Sequence, residues 1–291
     1  MKVAVLGPIC KDYIKVDDDL QLQIGGIPYY VTHVFKNLGV ESIVPFITFN
    51  KEDKDWVRDN FKGIKIEHIS VEKTLEFRRE YSSDNPDICS SIKIEYSPNI
   101  IKVTDSLINK LEKFDYIILS PLFYDNIPQE LFFRLKHKNL VHGNFGMFTY
   151  AEKNNLIQKN PENLIKILPY LNYLFLDVNE SRFISNKENI SEMGRFFQDK
   201  GLENMIITDG SKGSHLFIQG KYYQIPAYPP KKIIDPTGAG DTYLAAFIRS
   251  LDLFDNPEEQ GKFAAMTATI SLEKRGAFDG NIEDVKERLG I

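Results

Sequence analysis

Short apolar runs alternate along this chain with amphipathic stretches, and that rhythm restricts the fold more than any other feature. Val3–Gly7, Ile43–Phe49, Tyr116–Ser120, Asn139–His142, Tyr173–Asp177 and Asn204–Thr208 are short, β-branched and apolar, and read as buried strands. Tyr29–Leu38, Ser106–Leu111, Gln129–Lys136, Leu156–Leu168 and Ser191–Gln198 read as helices between them. A strand-then-helix order predicts an α/β fold whose mostly parallel sheet carries helices on both faces. No repeat or low-complexity linker divides the 291 residues, so one large domain over 1–291 is expected.

Two stretches break the rhythm. In Tyr13–Ile24, the residues Ile14, Val16, Leu20, Leu22 and Ile24 alternate with polar ones. In Leu75–Glu95, Leu75, Phe77, Ile92 and Ile94 do the same. Alternation of period two with no adjacent helix predicts antiparallel sheet with one solvated face. The two stretches flank the first crossover helix, so they are able to pack together outside the main sheet. A mobile lid over the strand ends and a pair of edge hairpins are both compatible with this pattern. Further on, Asp241–Leu251 and Glu258–Lys274 read as long helices.

Net charge is −5, which offers no polyanion-binding surface and disfavours nucleic acid as a partner. The two cysteines, Cys10 and Cys89, stand far apart and form no metal or redox pair, which fits a reducing, cytoplasmic compartment. No apolar stretch approaches the ~20 residues that cross a bilayer, so no membrane partner is expected.

The segment Ile233-Ile234-Asp235-Pro236-Thr237-Gly238-Ala239-Gly240-Asp241 carries the chemistry. A glycine-rich turn leads into a helix whose apolar residues are Leu244, Phe247, Ile248 and Leu251. Glycines at 238 and 240 let a ligand approach the main chain. The first N–H groups of a helix lack intrahelical acceptors and sit at the positive end of its dipole, which suits phosphate. Asp241 falls in the first turn. There it either satisfies the helix start or accepts a hydrogen bond from an attacking hydroxyl. Phosphoryl transfer needs anion donors and such an acid together. Other phosphate motifs are absent: there is no P-loop, no dinucleotide fingerprint and no protein-kinase signature.

Asp235–Asp241 resembles the C-terminal signature of the ribokinase-like carbohydrate kinases, the phosphofructokinase-B family, and the inositol-kinase-like and archaeal branch in particular through Tyr30. The resemblance extends along the chain. Gly7-Pro8-Ile9-Cys10-Lys11-Asp12 is similar to the family's early Gly-x-x-x-x-Asp, Gly25-Gly26 to its hinge, and Thr208-Asp209-Gly210-Ser211-Lys212-Gly213 to its nucleotide-lining Thr-x-Gly-x-x-Gly. The resemblance implies a doubly wound core with a β lid drawn from about 13–24 and 75–96. It implies transfer of the ATP γ-phosphoryl group to a small sugar or polyol, with Mg²⁺ bridging the phosphates. Asp241 would be the base, with Gly238, Ala239 and Gly240 as anion hole. Asp12, Gly25, Gly26, Tyr29 and Tyr30 would hold the acceptor. Asn179, Thr208, Gly210, Lys212, Gly213, Thr237 and Gly276 would face ATP. Many members hold a monovalent cation such as K⁺ beside the loop of Asp235.

Two departures stand out. Tyr30 replaces an Asn common in sugar kinases, which leaves a nucleoside or another small alcohol open as acceptor. Arg182 replaces the Glu of an Asn-x-x-Glu that begins here at Asn179, with Glu180 as a substitute from a shifted register. A nucleotide- or sugar-binding regulator with little turnover is the alternative of a different class, and the presence of Asp241 argues against it. An exposed lid edge leaves a homodimer open.

Overall fold

The computed structural model describes residues 1–81, 91–95, 99–143, 146–152, 155–159 and 161–291. Cys89 and residues 82–90 and 96 of the expected lid lie outside them. The chain opens with β1 (Lys2–Pro8), β2 (Cys10–Val16), β3 (Asp19–Gly25), α1 (Ile27–Asn37), β4 (Ser42–Phe49), α2 (Lys54–Asn60), β5 (Glu67–Ser70), β6 (Leu75–Tyr81) and β7 (Ser91–Glu95). It continues with α3 (Asp105–Leu111), β8 (Tyr116–Leu119), α4 (Gln129–Arg134), β9 (Asn139–Gly143), β10 (Thr149–Glu152), β11 (Asn155–Gln158), α5 (Glu162–Ile167), β12 (Tyr173–Asp177), α6 (Val178–Ser185) and α7 (Ile190–Asp199). It closes with β13 (Asn204–Thr208), β14 (Ser214–Ile218), β15 (Lys221–Ile225), α8 (Ala239–Ser250), α9 (Pro257–Ser271) and α10 (Ile282–Leu289).

Among these residues a nine-stranded sheet runs β15-β14-β13-β12-β9-β8-β1-β4-β5. All its pairs from β13 to β5 are parallel, and β14 and β15 add antiparallel strands at one edge. Strand pleating divides each apolar run between two cores. Ala4 and Leu6 face one core with residues of α3, α4, α5 and α7. Val3 and Val5 face the other, with residues of α1, α8, α9 and α10. The buried runs are therefore apolar on both faces, the pattern that marked them in the sequence.

A second, four-stranded sheet runs β3-β2-β6-β7. Its two hairpins are antiparallel as expected, but β2 and β6 pair in parallel, with Asp12 opposite Phe77. The reason is continuity. β2 and β6 follow closely on β1 and β5, parallel members of the main sheet, and leave it in the same direction.

The expected helix over Leu156–Leu168 does not form as one piece. Asn155–Gln158 pairs as a strand with β10, and the helix begins only at Glu162. Pro161 lies inside the expected span, and its ring and missing N–H prevent a helix from running through it. Among the described residues, no helix is long and apolar enough to cross a membrane.

Candidate active site

Asp241 stands in the first turn of α8, three residues after the N-cap Gly238. Gly238 adopts φ 76°, ψ 7°, the left-handed region in which a side chain is strained. The first turn then leaves donors to spare. Thr242 N bonds Gly238 O at 2.8 Å and Ala239 N bonds Pro236 O at 3.3 Å, but Gly240 N and Asp241 N reach no acceptor among the described residues. A Cβ on Gly240 would meet nothing within 4 Å, so the backbone of the turn is open on that side. The Asp241 carboxylate likewise accepts no hydrogen bond from a described residue. The residue is partly exposed, yet loss of hydration around its carboxyl raises the pKa to about 7. Two free donors and a proton acceptor thus share the head of one helix.

Asp12 is the second acid of the region. It lies on β2, 5 % exposed, with its carboxylate packed where a Gly25 side chain would otherwise sit. Arg79 Nε of β6 stands 3.7 Å from Asp12 Oδ1, and the Cys10 thiol lies 3.9 Å from the same oxygen. Burial raises the Asp12 pKa, while Arg79 and the Cys10 contact pull it back. Gly26 caps α1 with φ 97°, and a Cβ there would come within 2.7 Å of Pro8 O. The two glycines therefore let β3 and α1 close around the end of β1.

Tyr30 joins the two acids. Its ring is buried against the backbone of Gly238, where a Cβ would overlap it. Burial first, then Asp12, Asp235, Asp241 and Cys10, push its pKa well above the ordinary tyrosine range. Tyr29 turns elsewhere. It packs against His33 at 4.5 Å and Phe61 at 5.8 Å between ring centroids, in the cluster of α1 and α2.

The loop residues on the donor side divide into tethered and open ones. Asp235 Oδ1 accepts from Thr237 N at 2.9 Å and Oδ2 from Gly276 N at 3.3 Å, so its carboxylate ties two loops together. Thr208 ends β13 beside Asp177. Gly210 and Gly213 bound a tight turn in which Gly213 N bonds Gly210 O at 3.1 Å. Ser214 Oγ meets the Tyr243 hydroxyl at 2.7 Å, which fixes this turn beside α8. Lys212 points to solvent and pairs with Asp209 at 3.5 Å.

At α6, Asn179 Oδ1 accepts from Arg182 Nη1 at 3.0 Å, and Arg182 Nε donates to Glu188 at 2.8 Å. Glu180, the substitute expected for the missing Glu, closes the capping box of α6 with Asp177 at 2.9 and 2.7 Å. Its first obligation is to the helix start. Among the described residues, no group of three or more His, Cys, Asp or Glu is arranged to hold a metal ion. A divalent ion here would depend on donor phosphates and water.

Arg79 and Cys10 are the contributors that sequence reading passed over. The signal for Arg79 was present, since it falls on the same face of β6 as Phe77 in the period of two.

Comparison with known proteins places these features in context. The model of the pfkB family of carbohydrate kinases matches residues 94–284. A nucleoside kinase of Methanocaldococcus jannaschii is 33% identical over 148 residues, 50% of this chain and 46% of that protein. The chain spans about half the length of the curated relatives it matches. Among solved structures, a pyrophosphate-dependent kinase in the ribokinase family, complexed with a pyrophosphate analog and myo-inositol, superposes with TM-score 0.81 at 22% identity, covering 98% of this chain and 99% of that one. Arabidopsis thaliana ribokinase complexed with ribose and ATP superposes with TM-score 0.80 at 19% identity, covering 100% and 99%. The structural likenesses establish the ribokinase-like fold, with its large mostly parallel sheet and small separate one.

Proposed function

This chain belongs to the pfkB family of carbohydrate kinases, and we propose that it transfers the γ-phosphoryl group of ATP to a hydroxyl of a small sugar or polyol. The observation that carries the reading is the head of α8: a carboxylate without a donor beside two N–H groups without acceptors, among the described residues. The acceptor hydroxyl donates its hydrogen bond to Asp241. The N–H groups of Gly240 and Asp241 take the charge of the phosphoryl group in flight. Phosphoryl transfer is largely a matter of placement and electrostatics, so Asp241 mainly orients the nucleophile and receives its proton late. A carboxylate with a pKa near 7 is also a better proton acceptor at neutral pH than an ordinary aspartate.

Asp12, Gly25 and Gly26 place the acceptor under the small sheet, which acts as lid. Closure excludes water and limits wasteful hydrolysis of the donor. Thr208, Gly210, Gly213, Thr237 and Gly276 line the donor side. Mg²⁺, when bound, neutralises the donor phosphates; this chain supplies no carboxylate cluster for it among the described residues. The reading extends to K⁺ beside the loops that Asp235 ties together, and to a homodimer through the outer face of the lid, where Leu20 is 58 % and Leu22 46 % exposed.

A nucleoside acceptor is the second reading, favoured by the 33%-identical relative named a nucleoside kinase. A panel of sugars, polyols and nucleosides, with ATP and pyrophosphate as donors and a phosphate-balance readout, separates these. Donor binding with no acceptor consumed anywhere in the panel would leave a binding protein and remove the kinase assignment.

A further inference from the structure

The small sheet is rooted in the large one at two places. β2 leaves directly after β1, and β6 leaves after β5 through residues 71–74. Side chains of the segment that follows β4 fasten both roots. Asn50 Nδ2 donates to Glu72 O, and Asn50 N donates to Thr74 Oγ1 at 2.9 Å. Thr74 is buried, and its hydroxyl donates to Asp53 Oδ2 at 2.5 Å. The other oxygen of that carboxylate, Oδ1, holds Lys11 Nζ of β2 at 2.7 Å. One carboxylate thus ties the root of β2 to the root of β6.

This clasp is shielded from water. The side chains of Lys11 and Asp53 are 19 % and 17 % exposed. The Lys11 ammonium lies 5.8 Å from the centre of the Trp56 ring in α2. An ion pair so enclosed is held in one geometry, and removing one partner leaves the other charge poorly solvated. Its place in the fold gives it leverage. Lys11 precedes Asp12, and successive side chains of a strand point to opposite faces. Asp53 therefore grips β2 from the face opposite Asp12. Asp12 stands across from Phe77 of β6 in the ladder, and its partners come from both strands: Cys10 from β2, and Arg79 from β6 at 3.7 Å. The ladder between β2 and β6 fixes their register. The clasp at their roots fixes the angle at which they leave the large sheet, and a change in that angle displaces the Asp12 carboxylate.

We propose that Asp53 is a positioning residue of the acceptor site: by holding Lys11 and Thr74 together it sets the angle of the small sheet, and with it the place of Asp12. The inference rests on the kinase reading above for the role of Asp12. Lys11→Met, Asp53→Asn and Thr74→Val each open one side of the clasp. The expected result is a KM raised by about 10-fold for the acceptor that the panel identifies, with ATP binding, measured by calorimetry, unchanged. The three residues act as a unit, so the double variant Lys11→Met/Asp53→Asn raises that KM no further than the worse of its two single variants. Lys11→Arg keeps the cation and restores most of the acceptor affinity.

A parental acceptor KM in folded Lys11→Met and Thr74→Val overturns the inference. So does a raised acceptor KM matched by an equal loss of ATP affinity, which marks general damage to the fold. If Asp53→Asn does not fold, the near-isosteric Thr74→Val decides. Hydrogen exchange in the free protein gives a readout without turnover. Amides of β2 and β6 should exchange about 10-fold faster in Lys11→Met than in the parent, while those of β1 and β4 keep their rates. That pattern supports the clasp even if the panel yields no acceptor. Unchanged rates in β2 and β6, or an increase shared equally by β1 and β4, overturns it even if the kinase reading stands.

Discussion

Asp12 on the small sheet and Asp241 at the head of α8 are the same chemical group in different circumstances. Burial raises the pKa of both. At Asp12 a guanidinium and a thiol offset part of that cost. At Asp241 nothing offsets it, and the carboxyl titrates near 7. A buried acid with partners is already committed and serves as a fixed handle. An acid stripped of hydration, with no donor among the described residues, is held at a cost that a ligand donor can repay, as expected where chemistry occurs. In the proposed reading the two regions divide the work: the small sheet would hold and cover the acceptor, and the turn before α8 would carry the reaction.

The largest effect should come from removing the uncommitted acid. Asp241→Asn is expected to lower kcat by about 10³- to 10⁴-fold with donor binding, measured by calorimetry, unchanged. Asp12→Asn should act mainly on acceptor KM, by about 10- to 100-fold. If the Asp12 variant lost kcat as heavily with KM intact, the division between the regions would fail. In the parent enzyme kcat should decline as pH falls through about 7, because only ionised Asp241 accepts the hydroxyl's hydrogen bond.

Gly238→Ala tests the turn itself. Its Cβ would overlap Tyr30, and a left-handed alanine costs about 1–2 kcal/mol. A lower Tm and a raised donor KM are expected together; a lower Tm alone would reduce Gly238 to a structural residue.

A smaller effect concerns stability. The folded-state pKa of Asp241, about 7, lies above its ordinary value of 3.8. The folded protein binds this proton more tightly than the unfolded chain. The associated stability is therefore complete below 3.8 and is lost as pH rises through about 7. Asp241→Asn, which never ionises, should melt higher than the parent at pH 8 and nearly with it at pH 4. A melting difference independent of pH would mean that the carboxyl is hydrated in solution.

Lys212→Ala marks the low end. The side chain is 78 % exposed and its bridge to Asp209 is solvated, so changes in donor KM should stay within about 2- to 3-fold. A larger loss would bring Lys212 into contact with donor phosphate.

Much of this was legible in the residues themselves. The buried strands and the glycine turn with its acid are encoded in consecutive positions, where pleating and backbone freedom impose their own patterns. The broken helix near Pro161 shows the limit of that legibility. Apolar spacing suggested one helix, and a single proline together with pairing to β10 divided it. Glu180 shows another: its capping box with Asp177 is a local motif that competes with any metal role. At the site, sequence order named Asp12, Tyr30 and Asp241 separately but did not say which would be partnered.

The sequence by itself determined an α/β sheet with a glycine-rich turn and an acid at the start of a helix, because those features arise from neighbours along the chain. Only the tertiary structure decided that Arg79 would settle on Asp12, that Tyr29 would turn toward α2, and that Tyr30 would press on Gly238. Those contacts join residues far apart in the chain. Their geometry is fixed by how two sheets and the helices between them pack, and no local pattern carries that information.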